Sequence, residues 1–241
     1  TDPSDQTVTA GWTASFTAAA SGSPSPTVQW QVDAGAGFTN MPGETSTTLT
    51  LSGVTAVMSG NKYRAVFTNS VGNDTSTAAT LTANAAPSVT TDPSDQTVSA
   101  GGTATFTAAA SGSPAPSVQW QVDAGDGFTD MPGQTSTTLT LSGVTAVMNG
   151  NAYRAVFTNS VGTDTSTAAT LTVNTPAAVT GDSTATGKVG DAFTYSFTVS
   201  GFPAPTVTIG GDGLPAGVTF NPTAMTIAGT PAVGTEGTYH L

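Results

Sequence analysis

Residues 63–72 read YRAVFTNSVG, and residues 153–162 repeat the same ten letters. In the first occurrence Tyr63, Ala65 and Phe67 alternate with other residues, so they fall on one side of an extended chain. Alternation with this period is typical of a β-strand that buries one face. The stretch therefore predicts a half-buried strand, and its recurrence predicts two copies of one domain.

The repeat sets the domain organisation. TDPSDQTV begins at Thr1 and again at Thr91, a period of 90 residues, and 72 of the 84 aligned positions are identical. Such a period is too long for a solenoid unit and suits one β-sandwich domain. We expect the domains to stand end to end, with these bounds: domain 1 at 1–84, a linker at 85–90, domain 2 at 91–174 and domain 3 at 175–241.

Short alternating runs separated by turn residues predict the strands of each copy. Only SGVTAVMSGN at 52–61 leaves room for a single helical turn. Threonine, a β-branched strand former, makes up 49 of the 241 residues. The sequence predicts an all-β, cysteine-free, Greek-key sandwich with strands in the following stretches of copy 1: DQTVTA, TASFTAA, TVQWQV, STTLTLSGV, YRAVFTN and TSTAATLTA.

The third segment is related to the copies and differs from them. SGFPAPTVTI at 200–209 parallels SGSPAPSVQW at 111–120, which puts Ile209 at the position of Trp120. FTYSFTV at 193–199 parallels ATFTAAA at 104–110, with Phe197 at the position of Ala108. By comparison with copy 2, roughly one and a half C-terminal strands are missing. Either the segment is truncated, or another chain completes its edge at Leu241.

Charge and composition exclude several classes of function. The net charge is −11 with only four Lys or Arg residues, which disfavours nucleic acid and anionic membrane surfaces as partners. No apolar run reaches the ~18–20 residues of a membrane span. The absence of cysteine points to a bacterial exported protein or an intracellular one.

Three motifs carry a family resemblance. ASFTAAASGSPSPTVQW together with YRAVFTNSVG resembles the intermediate-set immunoglobulin-like domain. VQWQVDAGAGF with TLTLSGVTAVMSGNKYRAVFTNSVG is similar to tandem repeats of bacterial surface and secreted proteins, and GLPAGVTFNPTAMTIAGTP resembles their Ig-like, cadherin-like repeats. The resemblance implies β-sandwiches and an extracellular stalk or adhesion role. It implies no particular ligand.

At residue level the resemblance implies a core built without its disulfide. Trp30 and Trp120 would be the buried central tryptophans, and Tyr63 and Tyr153 the corner tyrosines whose hydroxyls bond the backbone. Alanine stands at all four cysteine positions. A lost disulfide costs ~2–4 kcal/mol and a buried Phe contributes ~1.5–3 kcal/mol, so flanking phenylalanines could compensate. The alanines are Ala18, Ala65, Ala108 and Ala155; the compensating rings are Phe16, Phe67, Phe106 and Phe157, with Phe197 and Ile209 in the core of domain 3.

The sequence predicts no catalytic site. The only histidine is His240, so no other histidine in the chain can serve as the base for a serine nucleophile. The densest carboxylate cluster is Asp123, Asp126 and Asp130, and copy 1 replaces two of these three residues. Such a cluster is better explained by the turn-forming tendency of aspartate than by glycosidase chemistry.

Two weaker binding hypotheses remain. Asp92 and Asp95 flank the linker, where Asp74 or Asp164 could approach and complete an oxygen-rich calcium site, although DPSDQ also suits a simple turn. Exposed aromatic rings could stack on sugars. The candidates for that role are Trp12, which copy 2 replaces by glycine, and the hairpin-tip residues Phe38 and Phe128.

The leading hypothesis is therefore a structural spacer or stalk in a bacterial exported or cell-surface protein of the adhesin type. One alternative is a carbohydrate- or protein-binding accessory module of a secreted enzyme or adhesin. Another is a subunit of an extracellular assembly or virion decoration, with strand exchange at domain 3. The expected partners are other domains of the same chain and, in the alternatives, a host surface, a glycan or a neighbouring subunit.

Overall fold

The structure is a computed structural model, and it describes residues 1–240. The chain forms two compact units whose bounds differ from those of the repeat, because copy 2 contributes segments to both. Unit 1 comprises Thr1–Ser94, Phe106–Leu139 and Ala152–Ala169; unit 2 comprises Asp95–Thr105, Thr140–Asn151 and the chain from Thr170 onward.

Copy 1 contains eight strands and one short 3₁₀ turn at Ala56–Met58. The strands begin and end close to the predicted runs, and the 3₁₀ turn lies inside SGVTAVMSGN. The strands are β1 (Gln6–Thr9), β2 (Ala14–Thr17), β3 (Thr27–Asp33), β4 (Thr39–Asn40), β5 (Thr48–Leu51), β6 (Lys62–Thr68), β7 (Asn73–Thr75) and β8 (Ala79–Thr91).

Copy 2 and the third segment continue the same pattern, with a second 3₁₀ turn at Ala146–Met148. The strands are β9 (Gln96–Ser99), β10 (Thr103–Thr107), β11 (Ala109–Ser113), β12 (Ser117–Asp123), β13 (Phe128–Asp130), β14 (Thr138–Ser142), β15 (Ala152–Thr158), β16 (Thr163–Thr165), β17 (Ala169–Thr180), β18 (Phe193–Ser196), β19 (Thr198–Phe202), β20 (Val218–Asn221) and β21 (Thr226–Gly229).

The two layers of copy 1 enclose one core. The larger sheet has the order β1-β8-β6-β3-β4, with β7 on β6, and the smaller sheet pairs β2 with β5. β1 lies parallel to β8, and the other pairs are antiparallel. The inward residues of both sheets pack around Trp30, whose side chain is completely buried. A β-sandwich with this core confirms the predicted fold class.

The strand pairs of copy 2 within unit 1 have the same register as those of copy 1, with one additional pair, Asp123–Phe128, in the hairpin. Trp120 lies opposite Ala155 on β15, as Trp30 lies opposite Ala65 on β6. β12 also pairs with β13, and β15 pairs with β16. In unit 2, β9 runs parallel to β17, the arrangement that β1 and β8 have in copy 1.

The predicted linker at 85–90 lies inside a strand. β8 continues without a break from the last strand of copy 1 into this segment, which pairs antiparallel with β11. Pro87 in this segment is buried. The segment is extended because its backbone groups find partners on β11, an arrangement that the Ala- and Pro-containing sequence does not itself predict.

In unit 2 the last strand of copy 2 also continues into the following segment and pairs with a strand of that segment. The rest of the third segment differs from the predictions. β17 pairs with β19, and β18, β21 and β20 form a separate three-stranded sheet. Phe197 is half-buried in a break between β18 and β19, with its ring stacked between Tyr195 and Phe220 at 6.1 and 5.9 Å. It is therefore not a fully buried core residue.

Ile209 also differs from its counterpart Trp120. It is half-buried and lies outside any strand. In copy 2 the equivalent stretch is held by β15, whereas within residues 1–240 no strand pairs with residues 206–209. The predicted edge at Leu241 lies outside the described residues.

Candidate functional site

The four alanines at the cysteine positions are fully buried, and aromatic rings lie near them. Phe16 stacks on Tyr63 with ring centroids 4.9 Å apart, and Phe106 stacks on Tyr153 at the same distance. Ala18, Ala65, Ala108 and Ala155 are each 0% exposed; Phe67 is 6% and Phe157 2% exposed. The structure thus places all eight residues of the proposed disulfide replacement inside the two copies.

The central tryptophans are fixed by hydrogen bonds as well as by packing. The indole Nε1 of Trp30 donates to the carbonyl oxygen of Ser46 at 2.8 Å, and Trp120 donates to Ser136 at the same distance. A buried indole N–H without a partner would be costly, so these bonds hold each ring in one orientation. The backbone bonds implied for the corner tyrosines stay predictions.

The aspartate cluster of the hairpin tip is engaged in turn formation. Asp123 Oδ1 accepts hydrogen bonds from the backbone N–H groups of Gly125 and Gly127, and Asp130 accepts one from Gln121. In copy 1, Asp33 accepts the equivalent pair of bonds from the N–H groups of Gly35 and Gly37. Both glycines have a positive φ, a conformation that residues with a side chain rarely adopt. The N–H groups of Gly35 and Gly37 lower the pKa of Asp33 below its ordinary value.

The four calcium candidates do not come together. Asp92 accepts the backbone N–H of Thr167, just before β17, and Asp95 accepts that of Thr170 in β17; Asp2 and Asp5 accept the equivalent N–H groups in copy 1. Asp74 and Asp164 both bind the N–H of the following residue. Among residues 1–240, no group of three or more His, Cys, Asp or Glu is arranged to hold a metal ion.

Phe38 and Phe128 each lie under an arginine. The guanidinium carbon of Arg64 is 3.8 Å from the ring centre of Phe38, and that of Arg154 is 3.9 Å from Phe128. Arg64 also donates from Nε to Gln31 at 2.8 Å. The rings are half-buried, and a guanidinium already covers one face of each. The sequence signal for the stacking of arginine on phenylalanine was the arginine directly before the buried alanine in each copy, Arg64 before Ala65 and Arg154 before Ala155. Alternation along the strand places this arginine on the outer face.

Trp12 is exposed. Its side chain is 71% accessible in the turn between β1 and β2, where its backbone bonds Thr9 and Val54. Of the three aromatic binding candidates, Trp12 alone presents a large open surface.

A groove beside the first SGSP segment was not predicted from the sequence. Beside residues 20–23 and Pro26 of copy 1 lies an open groove of about 360 Å³, lined also by Phe67, Asn69 and Asp74. The equivalent surface of copy 2 is covered by residues 85–89 of β8. The signal available in the sequence was the threefold recurrence of Ser-Gly-x-Pro at 21–24, 111–114 and 200–203.

Comparison with known families identifies the fold of the copies. The sequence model of the immunoglobulin I-set domain matches residues 1–82 and 87–173. The chain belongs to the immunoglobulin I-set family. A second family model, named "Putative Ig domain", matches residues 160–241. The predicted tandem of intermediate-set domains followed by a different Ig-like domain is confirmed.

Among characterised proteins, the chain is similar to parts of much longer ones. It is 49% identical over 176 residues to Endoglucanase C of Cellulomonas fimi, a match that covers 72% of this chain and 16% of the enzyme. It is 40% identical over 67 residues to the human leucine-rich repeats and immunoglobulin-like domains protein 3, covering 28% of this chain and 6% of that protein. The I-set chain therefore spans only about a sixth of its bacterial relative.

Solved structures support the same fold. The N-terminal four Ig domains of Dscam1 isoform 6.9 share 25% identity with this chain at a TM-score of 0.54, covering 70% of this chain and 43% of that one. A chain of the Dpr11 IG1 complex with DIP-gamma shares 18% at a TM-score of 0.56, covering 72% and 96%. Within residues 1–240, no helix is long and apolar enough to cross a membrane.

Proposed function

We propose that this I-set chain is a non-catalytic accessory region that spaces other domains in an extracellular bacterial protein, of the kind to which Endoglucanase C belongs. The observation that carries the proposal is the 49% identity to a region that makes up only 16% of that enzyme. Similarity confined to a small part of an enzyme is what a shared accessory region produces.

The use of polar groups in the structure supports this role. Several of the carboxylates considered for catalysis or calcium binding accept backbone N–H groups: Asp123 accepts those of its own turn, and Asp92, Asp95 and Asp164 accept those of residues in or beside the last two strands of copy 2. The two copies also have 72 of 84 aligned residues in common. A repeated domain serves a spacer, in which the number of domains matters, better than an enzyme, which needs one asymmetric site.

A domain exchange tests the spacer role. This chain would replace the region that it matches in Endoglucanase C, and the control would carry a Gly/Ser linker of equal residue number. We expect the chimera to keep the activity of the parent on insoluble cellulose and the flexible control to lose part of it, because a folded segment holds its neighbours apart. Equal activity of both variants would contradict the spacer role. Measurable hydrolysis by this chain alone would contradict its non-catalytic nature.

The exposure of Trp12 favours a second candidate, a carbohydrate-binding accessory module. An open indole face can stack on a sugar ring, whereas copy 2 has Gly102 in its place. A glycan array and a cellulose pull-down of the chain, with Trp12→Ala beside it, distinguish the two candidates. Val57→Ala is the matched control, because Val57 is also an exposed hydrophobic residue at 89%. Binding that is lost only in Trp12→Ala would establish the sugar-binding role.

A further inference from the structure

Asn149 is the only asparagine of the chain that is followed directly by glycine. In such a pair the backbone nitrogen of the glycine can attack the side-chain carbonyl carbon of the asparagine, because glycine has no side chain to hinder the approach. Copy 1 has Ser59 and Gly60 at the equivalent positions, so this reactive pair belongs to copy 2 alone. Whether Asn149 reacts depends on the structure that surrounds it.

The reaction needs no co-reactant other than water. The nitrogen of Gly150 forms a bond to Cγ of Asn149 and gives up its proton, and the side-chain amide leaves as ammonia. Water then opens the five-membered imide at one of its two carbonyl carbons. One opening leaves aspartate at position 149. The other leaves isoaspartate, in which the main chain runs through Cγ and is longer by a methylene group.

Two hydrogen bonds to β17 hold the pair in a geometry that excludes this attack. Asn149 Oδ1 accepts the N–H of Val173 at 2.8 Å, and the N–H of Gly150 donates to the carbonyl oxygen of Leu171 at 2.8 Å. The ψ of Asn149 is 126°, which turns the Gly150 nitrogen away from Cβ, whereas closure of the imide ring requires these two atoms to be eclipsed. The attachment of β17 therefore protects Asn149.

Burial does not provide this protection, because Asn149 and Gly150 are both exposed to solvent. Nor does the turn require asparagine. In copy 1 the Oγ of Ser59 accepts the N–H of Ala83 at 3.0 Å, the equivalent of the bond from Val173, and the turn has the same form. The asparagine of copy 2 thus performs the structural task of the serine and adds a reactive group.

We propose that Asn149 is a deamidation site whose reaction is controlled by the opening of β17. While β17 is attached, the Asn149 side chain and the Gly150 nitrogen are held apart. When β17 detaches from residues 146–151, both groups are released and the imide can form. Isoaspartate at position 149 then makes the opening permanent, because the longer main chain moves the Gly150 N–H out of register with Leu171. This inference does not depend on the proposed accessory role.

Peptide mapping of the full chain by mass spectrometry tests the proposal. Samples are kept at one pH and temperature in buffer and in urea, and the aspartate and isoaspartate products at position 149 are separated and quantified. We expect deamidation in buffer to be at least about tenfold slower than in urea, since a local opening free energy of about 1.4 kcal/mol gives that factor. Equal rates in the two solutions would overturn the proposal.

Two variants with the same change in a buried valine locate the opening. Val173→Ala weakens the packing of β17 and should speed deamidation in buffer about tenfold, without changing the rate in urea. Copy 1 has Ala83 at the equivalent position, so alanine is compatible with this fold. Val54→Ala makes the same change in the core of copy 1, within unit 1, and should leave the rate at Asn149 unchanged.

The variants also define the results that contradict the proposal. It is wrong if Val173→Ala reacts no faster than the parent chain, or if Val54→Ala speeds the reaction equally, because the controlling event would then not be the opening of β17. Asn149→Ser, which introduces the residue of copy 1, should abolish the products and leave the melting temperature unchanged.

Hydrogen exchange measures the consequence of the modification. In chains that carry isoaspartate, the amides of Leu171 and Val173 should exchange at least about tenfold faster than in the unmodified chain, because their attachment to residues 149–151 is lost. Unchanged exchange of these two amides would show that the modification does not hold β17 open.

Discussion

Residues 19–23 and 109–113 have the same sequence, Ala-Ala-Ser-Gly-Ser, and different structures. The second forms β11 along β8, whereas the first contains no strand and its residues are exposed. The five letters are identical, so intrinsic propensity cannot explain the difference. The presence of a neighbouring strand decides it, as expected for β-structure, whose stability depends on its pairing partner.

The contrast is confined to one edge of each domain. Val71 is 81% exposed in copy 1, while Val161, Gly162 and Asp164 in copy 2 are partly buried, and Asp164 accepts the N–H of Val89 in β8. Away from this edge the copies agree in register and in the indole hydrogen bond, and the Arg–Phe stacks differ by only 0.1 Å. The comparison therefore isolates the effect of an added strand.

The largest expected effect is in the core, where the two copies should behave alike. Phe67→Ala should open a cavity and destabilise copy 1 by ~3–5 kcal/mol, and Phe157→Ala should cost copy 2 about the same. Denaturant unfolding followed by hydrogen exchange assigns each loss to its copy. A loss below about 1 kcal/mol for Phe67 alone would show that the open groove reduces the packing of that ring.

Glycine at the groove should separate the copies. Gly112→Ala forces a Cβ against Pro87 and should destabilise copy 2 by ~1–3 kcal/mol, the cost of overpacking. In Gly22→Ala the new Cβ would lie 3.1 Å from the side-chain nitrogen of Asn69, as the Cβ of Gly112→Ala would from that of Asn159, but it would meet no neighbouring strand. It should cost less by about 1 kcal/mol or more. Equal losses measured by urea unfolding would mean that the asparagine contact, and not the strand, sets the requirement for glycine.

The aspartate pair should differ in the same direction by a smaller amount. Asp164→Asn removes the acceptor for Val89 N–H and should cost about 1–2 kcal/mol. Asp74→Asn should stay within about 0.5 kcal/mol, because its second oxygen faces solvent. Thermal melting of the two variants checks this order, and a reversal would contradict the role of Asp164 in holding β8.

The smallest effect belongs to the hairpin tip. The hydrogen bonds from Gly35 and Gly37 lower the pKa of Asp33, so folding favours the ionised form. The associated stability is present above the pKa of the unfolded chain and is lost as the pH falls through the lower pKa of the folded state. NMR titration of the Asp33 carboxyl should give a midpoint below its ordinary value, and Asp33→Asn should remove this part of the acid dependence.

The sequence predicted the features that depend on local pattern and on the repeat. Alternation located the strands around Trp30 and Tyr63, and the paired alanines indicated a core without disulfides. It did not predict that residues 85–90 form a strand, because that strand depends on a partner more than twenty residues away. The half-buried position of Ile209 was missed for the same reason: its counterpart Trp120 is held by β15, which lies outside the aligned stretch.

The distribution of the four cations governs where trypsin can cut the folded chain. Lys62 and Arg64 lie in β6 and Arg154 in β15, where the backbone is held in the sheet and a protease cannot bind it extended without local unfolding. Lys188 is exposed in the strand-free stretch 181–192. Limited proteolysis of the native protein should therefore yield one stable fragment, residues 1–188, in which both repeats remain intact and the sheet formed by β18, β20 and β21 is released.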